Sequence, residues 1–147
     1  MKTESTKAFP TLNEWLPLLA RGEHFARTIF KLFVVGEPEI DLIIAEFGRE
    51  SKRSGFGGVL VDVNHSGQAA AGWLMEMRKT GNGLEGRIVW TPLGRDLVET
   101  GQYRYFSFGL EAVELEEGSG RWHPARIEHL TLTNRPQIRQ APISLPA

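Results

Sequence analysis

Apolar positions in this chain fall into short blocks, and most of the blocks repeat every second residue. FKLFVVG (30–36), GVLVDVNH (58–65), AAGWLMEMRK (70–79) and LEGRIVW (84–90) are each seven to ten residues long, and all but the third are rich in β-branched or aromatic side chains. They predict strands. GNG at 81–83 is a tight turn between two of them, after which Leu84, Gly86, Ile88 and Trp90 alternate with Glu85, Arg87 and Val89. Two later blocks behave alike. In YRYFSFGLEA, Phe106, Phe108, Leu110 and Ala112 fall on one face, and Tyr105, Ser107 and Gly109 on the other. In ARIEHLTLTN, Ile127, His129, Thr131 and Thr133 oppose Glu128, Leu130 and Leu132.

Helical punctuation occurs in three places. TPLGRDLVETG carries Thr91 as N-cap, Pro92 at the first helical position and Gly101 just past the end. IDLIIAEFGRES predicts a helix opening at Asp41 and running out before the Ser/Gly-rich loop SKRSGFGG, with GEPE as a turn ahead of it. TLNEWLPLLARG predicts a short amphipathic helix from Thr11 to Gly22, although Pro17 inside it works against that reading. Residues 1 to about 10 are polar, and QIRQAPISLPA, with two prolines and no periodicity, is expected to be a linker or a cut end.

With 147 residues and 41% hydrophobic content, the chain holds one domain with a real core. A net charge of −1 with scattered Lys and Arg argues against nucleic acid as a partner. The absence of cysteine excludes disulfides, thiolate metal sites and cysteine nucleophiles. No apolar run approaches the ~18 residues that span a bilayer and the N-terminus has no apolar signal core, so a soluble, intracellular protein without a membrane partner is expected. SGFGG lacks the Lys of a phosphate loop, no HExxH occurs, and His65 and His129 without cysteines make a poor zinc set. No metal and no cofactor is expected. Trp73 and Trp90 are expected in the core.

Ser107 and the histidines remain as candidate chemistry. A serine needs a base to take its proton and a third group to orient the base. His65 ends a strand in VDVNHSG, where loops expose functional groups, and His129 lies on the same strand face as Thr131. His24 and His123 are expected on the surface or in loops, His123 in the hairpin-like turn GSGRWHPA; Asp62 and Asn64 receive no chemical role.

The ordered segments VDVNHSG, AAGW, GLEGRIVWTPLGRDLVETGQYRYFSFGL and HLTLTNRP resemble the Mu-like prophage I protein family, capsid-assembly proteases related to tailed-phage prohead proteases and to herpesvirus assemblin. The resemblance covers roughly residues 28 to 138. It implies a mainly β fold with flanking α-helices, a small antiparallel β-barrel of the assemblin type. It divides the chain into an N-terminal tail and short helix (1–27), a prohead protease-like domain (28–138) and a C-terminal linker or processed end (139–147). It implies a serine endopeptidase with Ser107 as nucleophile, His65 as general base and His129 as third member. Glu128 is the alternative third member, pointing to the opposite face of a regular strand. Arg135 is the counterpart of an oxyanion-holding arginine. The implied substrates are scaffolding protein, major capsid protein and the protease itself, processed in host cytoplasm inside the assembling prohead, with a homodimer or higher oligomer implied by the herpesvirus relatives. The other readings are an inactive scaffold module of the capsid, and a β-barrel binding domain unrelated to capsids.

Overall fold

The computed structural model describes residues 15–139 and 142–143. Its elements in chain order are β1 (Leu16–Ala20), β2 (Gly22–Ala26), β3 (Lys31–Val35), α1 (Glu37–Ser51), β4 (Val59–Val63), β5 (Gly72–Thr80), β6 (Gly83–Trp90), α2 (Pro92–Glu99), β7 (Tyr105–Glu114) and β8 (Arg121–Thr133). The strands form one eight-stranded sheet in the order β1-β6-β5-β4-β8-β3-β2, with β7 added to β8. Among the described residues the protein is mainly β with two helices, and the sheet curls into a half-barrel. Trp90 on β6 and Phe106 on β7 stack across the interior with ring centroids 6.2 Å apart, although the two strands do not pair.

Most ladders are antiparallel, but β8 runs parallel to both β3 and β4, which departs from a purely antiparallel barrel. The 13-residue length of β8 makes this workable. Its N-terminal end takes β3, its C-terminal end takes β4, and β7 follows its other edge through ten paired positions. The inner face carries the apolar half of each alternating strand. Phe108 pairs with Leu130, which lies beside Val61; Leu74 lies beside Val59 and Ile88. Leu74, Ile88, Leu130 and Val61 are all fully buried. At about 25 cal/mol per Å² of apolar surface removed from water, this inner face is the main favourable contribution to folding.

The expected helix over Thr11–Gly22 is replaced, within the described residues, by strand β1; positions 11–14 lie outside them. Pro17 explains the outcome. It has no N–H for a helical bond, but on an edge strand that lack costs little, and the β1–β6 register shifts between Pro17 and Leu19. A second strand, β2, was not anticipated at all. Helix α1 begins at Glu37, four residues before the expected start. Gly36 is its N-cap and donates its N–H to Glu39 Oε1 at 2.8 Å, while Pro38 fits the first turn.

Helix α2 matches its punctuation. Thr91 Oγ1 accepts from the Gly94 N–H at 3.2 Å and donates to the Ala70 carbonyl at 2.7 Å. His123 is not in a turn but inside β8, half-buried, with its Nδ1 against the buried Glu39 carboxylate. That contact ties the start of α1 to the sheet. His24 is half-buried on β2, its Nε2 2.7 Å from the Ala20 carbonyl oxygen. Trp90 is in the core, whereas Trp73 is 36% exposed. The described part of the tail is not a free linker: Ile138 is buried, and the Ile143 N–H donates to the Arg104 carbonyl at 2.7 Å. It lies along the entry to β7.

Candidate functional site

The site is built around the turn that follows β4. Asn64 and His65 both have φ of 55°, a left-handed conformation that costs a non-glycine residue on the order of 1–3 kcal/mol. Two consecutive residues hold it because the surroundings fix it from several sides. The Asn64 N–H donates to the Leu132 carbonyl at 3.0 Å and the His65 N–H to Thr131 Oγ1 at 2.8 Å. The Gly67 N–H donates to Asp62 Oδ2 at 2.7 Å, and Asn64 Nδ2 donates to the Tyr103 hydroxyl at 2.8 Å. These bonds aim the His65 ring at β8.

There it meets His129. His65 Nδ1 and His129 Nε2 are 2.9 Å apart, and the rings cross edge-to-face at 85° with centroids 5.1 Å apart. On the far side, His129 Nδ1 is 3.7 Å from Glu128 Oε1. With the His129 proton on Nδ1, toward that carboxylate, Nε2 is free to accept from His65 Nδ1–H. His65 Nε2 is then the bare nitrogen. Glu128 is exposed and reaches His129, while His129 reaches His65. Room for the ring comes from Gly109, directly opposite His129 on β7. A Cβ there would overlap ring atoms Cε1 and Nδ1.

Ser107 pairs with Thr131 across the β7–β8 ladder, and Thr131 pairs with Asp62 across β8–β4. Residues directly opposite one another share a face. Asp62, Thr131 and Ser107 therefore form one row across three strands, with His129 and Gly109 one step along on the same face. The row is buried: Ser107 is 2% exposed, Asp62 1% and Thr131 0%. Thr131 Oγ1 accepts from the backbone of His65, whereas Ser107 Oγ and Asp62 Oδ1 have no hydrogen-bond partner among the described residues. The structure thus joins His65 to His129 and sets Ser107 on the same face, without a bond between Ser107 and His65.

Burial lowers the proton affinity of His65 below the ordinary imidazole value, and the neighbouring His129 lowers it further; the charge of Asp62 acts in the opposite direction but does not overcome them. A neutral imidazole at neutral pH is the form a general base requires. Arg135 lies just past β8, its N–H bonded to Thr133 Oγ1 at 3.1 Å. Its exposed side chain lines a cleft of about 870 Å³ with Arg27, Arg139 and Tyr105, the last of which precedes Ser107 by two residues on the same face. Among the described residues no group of three or more His, Asp or Glu side chains converges as a metal-ligand set.

Sequence reasoning gave Asp62, Thr131 and Tyr103 no role at the site and did not foresee that Gly109 makes room for the His129 ring. The available signal was an acidic residue in the otherwise apolar strand VLVDV, a position that only a structural or chemical demand retains.

A curled, mainly β domain that holds two histidines in contact beside a buried serine defines the class of this molecule. The chain matches the family model described as "Mu-like prophage I protein, N-terminal domain" over residues 18–143, and it belongs to that family. Its context is therefore that of a phage or prophage. No curated protein and no solved structure gives a match.

Proposed function

We propose that this protein is a serine endopeptidase that processes scaffolding protein, capsid protein and itself during phage prohead maturation. The observation that carries the reading is the 2.9 Å contact between His65 Nδ1 and His129 Nε2, on a strained turn whose backbone is bonded to the residue facing Ser107. That arrangement leaves His65 Nε2 as the base for a serine on the same face.

In the proposed reaction Ser107 Oγ forms a bond to the substrate carbonyl carbon while its proton passes to His65 Nε2. The carbon–nitrogen bond then breaks, and His65 returns the proton to the leaving amine. Water attacks the resulting ester, giving its proton to His65, which restores it to Ser107. His129 holds the imidazole in the useful tautomer throughout. The cleft lined by Tyr105 offers the substrate chain a place to lie, and Arg135 on its wall is the candidate cation for an oxyanion.

One observation favours a second reading. Ser107 Oγ is buried and not bonded to His65, as in an assembly module whose serine is a relic. The experiment that separates the two is intact mass after incubation with a fluorophosphonate, on wild type, Ser107→Ala and His65→Ala, free and within assembling proheads. A single adduct on wild type, lost in both variants, is the result expected of the protease. No adduct in either setting sinks that reading and leaves the assembly module.

A further inference from the structure

A histidine in the third position orients the base but brings no negative charge, so the imidazolium formed on His65 during acyl transfer would lack the stabilisation that a carboxylate provides. The required charge is present from another direction. We propose that Asp62 is a positioning residue for His65, tying down its turn through Gly67 and supplying the negative charge that His129 lacks.

Three observations carry this. Asp62 is 1% exposed, a burial that carboxylates avoid unless something nearby requires them. Its Oδ2 accepts the Gly67 N–H at 2.7 Å, which closes the turn bearing His65. Its Oδ1 has no hydrogen-bond partner among the described residues, and it shares the row with Thr131 and Ser107. A turn cap alone needs one oxygen and no charge; an asparagine or serine would serve. A buried carboxylate with an unused oxygen, bonded to the turn that carries the imidazole, is better explained by electrostatics: its charge acts to raise the proton affinity of His65, and in a water-poor setting a fixed charge acts strongly on the protonated ring. The other ionisable groups facing this turn are His129 and, behind it, Glu128, with the Tyr103 hydroxyl on Asn64. Glu128 is exposed and reaches His129 rather than His65, whereas Asp62 is the buried carboxylate bonded to the turn that carries the base.

The proposal rests on the protease reading for its catalytic consequence, and its test has a readout that does not. Asp62→Asn preserves the size and an acceptor for the Gly67 N–H while removing the charge. Two quantities are followed against pH: the fluorophosphonate labelling rate of Ser107, and the imidazole NMR titration of His65. In the variant the plateau labelling rate is expected to fall on the order of tenfold. The acid limb and the His65 titration midpoint are both expected to move to lower pH. A slower rate with an unmoved midpoint overturns the proposal, leaving Asp62 a turn cap, and an unchanged rate and midpoint overturn it as well. Should Asp62→Asn fail to fold, the carboxyl carbon signal of Asp62 in the wild-type protein decides: it must show an inflection where His65 titrates, and a flat trace overturns the proposal. A wild-type protein that takes no label at all removes the protease reading, while the two NMR titrations still test the Asp62–His65 coupling.

Discussion

Gly109→Ala is the smallest change that reaches the histidine pair without touching either ring. A Cβ built on Gly109 overlaps His129 Cε1 and Nδ1 and stands 3.1 Å from Nε2, inside the 3.4 Å at which ordinary contact begins. The backbone there is held by the β7–β8 ladder, so the ring has to yield, by roughly 1 Å or more at ordinary carbon contact distances. A 2.9 Å bond from His65 Nδ1 does not survive such a shift. The lost bond is worth about 0.5–1.5 kcal/mol. A misplaced orienting group costs catalysis up to about 100-fold. The expected fall in fluorophosphonate labelling is therefore on the order of 10- to 100-fold. Stability should drop by about 1–3 kcal/mol, the usual penalty for overpacking, which a domain of this size withstands. His129→Ala supplies the control. Once the ring is gone the added methyl has space, so Gly109→Ala in that background should cost nothing further in rate and little in stability. Wild-type labelling by Gly109→Ala would refute the reasoning, and so would a further tenfold loss in the double variant.

Two further predictions address proton affinity and capping. Because burial and His129 depress the proton affinity of His65, the acid limb of the labelling rate should lie below pH 6.5, the ordinary imidazole value. The same shift means that the unfolded chain takes up the proton first as pH falls through 6.5, so denaturation midpoints should decline from that point downward; a limb at or above 6.5 contradicts the assignment. Thr91→Ala removes both the acceptor for the Gly94 N–H and the donor to the Ala70 carbonyl, and should cost about 1–2 kcal/mol in chemical denaturation. Thr91→Ser should restore most of it, and equal losses in the two variants would show that packing of the methyl group, not capping, sets the cost.

What was legible in the sequence, and what was not, divides along a physical line. Alternation over 84–90 and 103–110 located β6 and β7 and their inner faces, because period two is a local property of the strand itself. Thr91 and Pro92 marked α2 because a cap acts within three residues. The segment 16–26 misled because Leu16, Leu18 and Leu19, all buried, fit either period, and only pairing with β6 makes them a strand. The tail looked aperiodic because its described residues are held by contacts, Ile143 with Arg104 and Ile138 in the core, rather than by a repeat of their own. The same division runs through the site. Ser107, His65 and His129 stood out as candidates from strand face and residue type, and their proposed roles came from the family resemblance. Asp62, Thr131 and Gly109 matter only through register: they become neighbours of the candidate serine and histidines when β8 takes β4 on one edge and β7 on the other. A carboxylate three residues before a histidine carries no message in a linear reading. Set in one buried row with Thr131 and Ser107 and bonded to Gly67 of the turn that bears that histidine, it becomes part of the candidate site, which is why the pairing of strands, more than the list of reactive residues, determines what this site can do.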